Sequence, residues 1–220
     1  IAVAAVAVIA LIVGVAVLAG GNDPAPANTA AQAAPAATPV ASHVVEIDIA
    51  GYGVITAELY SNIAPITVNN FVKLVNEGFY DGLTFHRIYP YFMIQGGSPE
   101  GDGIGGNGDE TIKGEFAVNG VKNPLSHKRG VISMARSQRY NSASSQFFIC
   151  HADATFLDGD YAAFGAVIEG IETVDKIAAV ATDGNDKPLA PQYIKTIRVI
   201  TEEQAKTAGP APMPVETAAQ

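Results

Sequence analysis

Phe85-His86-Arg87-Ile88-Tyr89-Pro90-Tyr91-Phe92-Met93-Ile94-Gln95-Gly96-Gly97 is the stretch on which the reading of the fold turns. It divides into two short apolar runs, Thr84–Ile88 and Phe92–Gly97, each of strand length. By pattern alone Phe92 and Met93, with Phe148 further on, are ordinary core residues, as aromatic and Met side chains usually are. Arg87 and Gln95 do not fit that reading. Each is a polar side chain set in an apolar strand, and each needs a partner if it is buried.

Outward from this stretch the short strands continue. Before it, Val45, Ile47 and Ile49 alternate with Glu46 and Asp48, the period of a half-buried strand. Gly51-Tyr52-Gly53 can turn the chain into a second strand, Val54–Leu59. The period then changes: Val68, Phe71, Val72 and Val75 follow helical spacing, with Pro65 near the start and Gly78 past the end. After it come Val131–Ala135, Gln146–Cys150 and Ala162–Val167 as strands. Ile171, Val174, Ile177 and Ala178 suggest a second helix, and Tyr193–Ile200 alternates as a last strand. Many short strands with two helices predict a mainly β fold, a closed antiparallel eight-stranded barrel capped by the two helices.

The chain has 220 residues, enough for one domain of about 160 residues and attached segments. The expected division is an apolar segment over residues 1–20, an Ala/Pro-rich disordered spacer over 21–42, a domain over 43–206 and a disordered tail over 207–220. Ile1–Ala19 is uncharged and aliphatic, close to the roughly 20 residues that cross a bilayer. Met does not begin the sequence and no basic residue precedes the apolar run, so further residues are expected ahead of Ile1. An uncleaved anchor is the favoured reading. A signal peptide cleaved after Val17-Leu18-Ala19, giving a secreted protein, is the alternative. The first Lys or Arg after the segment is Lys73, which places the domain on the outer side of the membrane.

Charge and motifs remove several classes of function. A formal net charge of -9 and a pI near 4.8 argue against nucleic acid, which needs clustered Lys and Arg. Gly103-Ile104-Gly105-Gly106-Asn107-Gly108 matches a dinucleotide pattern, but Asp109 and Glu110 follow instead of an apolar helix, so it reads as a flexible surface loop. His43, His86, His127 and His151 stand at no metal-ligand spacing, and no metal or cofactor is expected. Ser144-Ser145 lacks the surroundings of a nucleophile elbow. The single cysteine, Cys150, lies in an apolar run and reads as a small buried hydrophobe.

Three blocks carry the remaining information: Phe85–Gly97; Gly130–Ser137 leading to Asn141–Ile149 with Ser145-Gln146-Phe147-Phe148-Ile149; and Phe156-Leu157-Asp158-Gly159 with Tyr161–Gly165. In order and nearly in full, over about Val44 to Thr201, they resemble the cyclophilin signature. The resemblance implies a peptidyl-prolyl cis/trans isomerase in which Arg87 is the catalytic arginine and Gln95 helps hold it. Phe92, Met93, Phe148 and Leu157 would form the socket for the proline ring. Ala135 and Arg136 would meet the substrate backbone, with Gln146 beside them. The family's better-known eukaryotic members have Trp where Phe156 stands, His where Tyr161 stands and Asn where Arg136 stands. The versions here are similar to bacterial members, and without the Trp only weak cyclosporin binding is expected.

Isomerisation needs no nucleophile, metal or cofactor, only a held ring and a donor for the twisted amide, and a guanidinium is a permanently charged donor. The expected substrates are proline-containing unfolded or partly folded polypeptides outside the cytoplasm, whose folding the protein would assist. A tethered module that binds such segments without turnover is the competing reading, and the presence of Arg87 argues against it.

Overall fold

Alternation along the strands sorts the side chains onto two faces, and both faces are used. The computed structural model describes residues 37–108, 110–201 and 204. Eight strands form one antiparallel sheet: β1 (His43–Ile49), β2 (Gly53–Leu59), β3 (Phe85–Tyr89), β4 (Met93–Gly96), β5 (Val131–Met134), β6 (Phe147–Cys150), β7 (Ala163–Glu169) and β8 (Ile194–Ile200). Their order across the sheet is β3-β4-β6-β5-β7-β2-β1-β8. The expected strands and both expected helices, α1 (Pro65–Asn76) and α2 (Ile171–Ala178), are present.

One face carries the main core. Ile47, Ile55, Ile94, Phe147, Ile149 and Phe164 from the strands are fully buried with Val68, Phe71 and Leu74 of α1 and Val174 and Ile177 of α2. Phe71 is the hub, its ring 5.3 Å from Phe147, 5.2 Å from Phe164 and 5.1 Å from Tyr80. Ala64 offers α1 no side-chain cap. The buried Glu115 supplies it instead, accepting from Ile66 N–H (3.0 Å), Thr67 N–H (2.8 Å) and Thr67 Oγ1 (2.7 Å).

The sheet is an open, curled half-barrel, which corrects the expected closed barrel. Its edge strands β3 and β8 meet through one isolated bridge, Thr84 to Tyr193, with Phe85 N–H donating to Gln192 O and Ile194 N–H to Leu83 O. Beyond that point the free edge of β3 is met by a turn rather than a strand: Ile88 N–H donates to Asp186 O at 2.8 Å. A ladder cannot continue where another segment already satisfies the edge.

The chain ahead of β1 is already tied to the domain. Val40 N–H donates to Asn62 Oδ1 (3.1 Å), Asn62 Nδ2 to Thr38 O (2.7 Å) and Ser42 N–H to Leu59 O (2.8 Å). The expected apolar segment 1–20, the spacer as far as residue 36 and the tail 207–220 lie outside the described residues. Among the described residues, no helix is long and apolar enough to cross a membrane.

Candidate active site

The second face of the sheet builds a cleft. Pairing sets Arg87 opposite Gln95, Gln95 opposite Phe148, Phe148 opposite Ser133, and Ser133 opposite Ala163. With a period of two, Met93 shares this face with Gln95, and Val131 shares it with Ser133. Met93, Val131, Phe148, Cys150, Leu157 and Ala163 pack there as a second apolar cluster, separate from the main core. The polar residues that looked misplaced in their strands therefore stand in line with an apolar floor. Burial pushes the Cys150 thiol up to about 12, so it behaves as the small hydrophobe expected.

A cavity of about 510 Å³ opens over this floor. Nine of the eleven site residues read from the sequence line it: Arg87, Phe92, Met93, Gln95, Ala135, Arg136, Phe148, Leu157 and Tyr161. Gln146 lies in an adjoining depression of about 330 Å³ that shares Gln95, Ala135 and Arg136. Phe156 stands outside both, 72% exposed on the rim, with its ring 5.4 Å from Phe92.

The hydrogen bonds show what three of these features are tied to. Gln95 stands opposite Arg87, but no hydrogen bond joins the two among the described residues. Its amide donates to Gln146 Oε1 at 2.9 Å, and Gln146 Nε2 in turn donates to Gly103 O (3.0 Å) and Gly105 O (2.8 Å). Those bonds, with Asn107 N–H donating to Ser144 Oγ at 2.9 Å, make the glycine loop a fastened wall beside the cleft instead of a flexible one. The close approach needs a small residue in the loop: at Gly106 a Cβ would come within 2.6 Å of Ser144 Cβ and Oγ. The Arg136 side chain is turned to the protein. Its guanidinium lies 4.5 Å from the Tyr161 ring centroid, 5.1 Å from Phe116 and 5.4 Å from Tyr140, and donates to Asp160 O and Ser137 O, each at 2.9 Å.

The sequence reading missed what holds Arg87 and what supports Phe148. Arg87 Nε and Nη2 donate to Asp186 Oδ2 at 3.2 and 3.1 Å, while Asp183, Asn185 and Lys187 of the same turn line the cavity. Turn composition in Asp183–Lys187 was the only signal, and it carries no partner. Beneath Phe148 lies a relay: Asp158 Oδ1 accepts from His127 Nδ1 (2.8 Å), and His127 Nε2 meets Ser133 Oγ at 3.0 Å. Asp158 also accepts from His127 N–H and Ser126 Oγ. The order of groups is that of a hydrolase triad, but Ser133 is 0% and His127 1% exposed, under the Phe148 ring stacked on the imidazole. A hidden hydroxyl cannot attack a substrate, so the relay is a support for the floor.

The cleft is therefore an apolar floor with the Arg87 guanidinium at its wall, spread over β3, β4, β5, β6 and the 3-10 turn Thr155–Leu157. Residues 44–199 match the family described as cyclophilin type peptidyl-prolyl cis-trans isomerase/CLD. The chain belongs to the cyclophilin family. The cyclophilin domain is 40% identical over 149 residues to the peptidyl-prolyl cis-trans isomerase ppi1 of Schizosaccharomyces pombe, covering 67% of this chain and 92% of that protein. It is 44% identical over 154 residues to a peptidyl-prolyl cis-trans isomerase of Acinetobacter baylyi, covering 67% and 79%. The fold is similar to a cyclophilin type peptidyl-prolyl cis-trans isomerase of Cryptosporidium parvum, solved in the presence of the dipeptide Ala-Pro. That likeness has a TM-score of 0.65 and 32% identity, over 72% of this chain and 99% of that one. This cyclophilin is a peptidyl-prolyl cis-trans isomerase.

Proposed function

We propose that this isomerase acts on X-Pro bonds of unfolded or partly folded proteins outside the cytoplasm, assists their folding, and uses Arg87 as the donor to the reacting amide. The observation that carries the reading is the guanidinium of Arg87 in the same cavity as the apolar side chains of Phe92, Met93, Phe148 and Leu157. Rotation about a peptide bond faces a barrier of about 18–20 kcal/mol from amide resonance. In the twisted state the prolyl nitrogen regains a lone pair able to accept a hydrogen bond. A donor that meets it there binds the transition state more strongly than the planar ground state, which is what lowers the barrier. The socket holds the ring while the preceding carbonyl swings, and Ala135 and Arg136 line the cleft where the substrate backbone would run.

Kinship with the Acinetobacter baylyi protein supports a bacterial type. The uncharged Ile1–Ala19 and the absence of Lys or Arg before Lys73 support an anchored domain on the outer side of the membrane. Retention in membranes through a high-salt wash, and release by detergent, is the result this placement requires. A soluble mature form beginning at Gly20 would replace the anchor with a cleaved signal.

Turnover of a short X-Pro peptide tests the central role. Arg87→Ala, folded by circular dichroism, should lose on the order of 100-fold in kcat/KM, because a charge-assisted bond is removed where it counts most. Arg87→Lys should be nearly as poor, since an ammonium lacks the planar fork. Near-normal turnover in Arg87→Ala would mean that the socket alone does the work.

A further inference from the structure

The guanidinium on which this chemistry rests is oriented from a point 99 residues further along the chain. Nε and Nη2 of Arg87 both donate to Asp186 Oδ2. Two of the five guanidinium N–H groups are thereby used, and three, including both on Nη1, are left for another acceptor. Gln95, directly across the strand pair, donates to Gln146 and makes no hydrogen bond to the guanidinium among the described residues.

Asp186 is built into this place. Its backbone is left-handed, with φ 64°, a region that Asp and Asn enter far more readily than other side chains. The turn around it is cross-braced: Asp183 Oδ1 accepts from Asn185 N–H (2.8 Å) and Lys187 N–H (3.0 Å), and Asp183 N–H donates to Lys187 O (2.8 Å). Thr182 pairs with Pro188 at its base. The main chain of Asp186 is fastened to β3 through Ile88 N–H, one residue from Arg87, while its side chain grips the guanidinium. Both ends of the ion pair are thus set by backbone contacts of their own.

We infer that Asp186 is the positioning residue of the isomerase reaction, holding one edge of the Arg87 guanidinium so that the remaining donors serve the prolyl nitrogen. The inference rests on the reading of Arg87 as that donor. A free arginine surrenders its rotamer freedom each time it donates, whereas a tethered one has surrendered it on folding. The carboxylate also offsets part of the positive charge, so what Asp186 contributes is direction. An amide at the same position keeps an acceptor oxygen and retains part of the effect.

The test measures X-Pro peptide turnover in Asp186→Gly, Asp186→Asn, Arg87→Ala and the double variant Arg87→Ala/Asp186→Gly. Glycine is chosen because alanine would be strained at this φ. Asp186→Gly should lower kcat by about fivefold to tenfold with KM changed less than about twofold, as expected for a half-exposed pair that acts only on the reacting group. Asp186→Asn should lose about half as much on a logarithmic scale, and it carries the test alone if the glycine variant does not fold. In the Arg87→Ala background, Asp186→Gly should cost nothing further. An equal loss in both backgrounds would make Asp186 merely structural and overturn the inference. So would wild-type kcat in the Asp186 variants beside a crippled Arg87→Ala, a result that leaves the role of Arg87 standing. Normal turnover in Arg87→Ala would overturn the role of Arg87 itself, and this inference with it.

Discussion

Removing the Arg136 side chain separates two roles for this residue, a substrate contact and a brace for the cleft wall. The guanidinium sits among the Tyr161, Phe116 and Tyr140 rings, donates to two carbonyls, and the side chain is only 10% exposed. A desolvated cation–π contact is worth about 2 kcal/mol, and the further rings share one cation, so they do not add in full. The carbonyls of Asp160 and Ser137 can return to water on truncation, which leaves about 0.5 kcal/mol net for each lost bond. Arg136→Ala should therefore cost about 3 kcal/mol, or about 9 °C in Tm for a domain of this size. Urea and thermal unfolding measure it, with Arg136→Lys expected to recover about half, since it keeps charge without the plane. Because Tyr161 lines the cleft and packs on Arg136, KM should rise several-fold where the variant is folded, with kcat little changed. A stability loss below about 1 kcal/mol would refute the brace, because a cation held by three rings cannot be removed so cheaply.

Acid should destabilise the domain before it denatures most carboxylate networks. Burial holds His127 and His86 below the usual histidine range, so the unfolded chain takes up protons below about pH 6.5 that the folded protein refuses, and stability falls from there as pH drops. Burial alone would raise Asp158, but hydrogen bonds from Ser126 and His127 hold its carboxyl low. Its contribution is therefore present above the ordinary carboxylate pKa and lost as pH falls through the depressed one. Chemical denaturation at pH 7.5, 6 and 5 checks this, and a flat profile would mean that the histidines are solvated. Phe156→Trp should strengthen cyclosporin binding by restoring an N–H donor worth about 0.5–1.5 kcal/mol at an exposed rim position. Unchanged affinity in calorimetry would shift the cause to Tyr161 or to the loop geometry.

How much was legible in the sequence follows from how local each signal is. The alternation in Val45, Ile47 and Ile49 and the helical spacing of Val68, Phe71 and Val75 report burial on one face of one element. Signals of this kind found the eight strands and two α-helices of the described residues. The same locality exposed Arg87 and Gln95, since a polar residue on an apolar strand is anomalous whatever it faces, and the motif resemblance extended the set to eleven residues. Which atoms those residues meet is a different matter. Gln95 bonds Gln146 where Arg87 was expected, Arg87 bonds Asp186 across 99 residues, and Arg136 turns into an aromatic cage drawn from three separate segments. Closure of the sheet was equally out of reach, because it depends on a turn reaching the edge of β3 before β8 can. Period and composition determine which face of an element is apolar; partner choice is settled by competition among groups brought together only when the sheet curls, and no single segment carries that information.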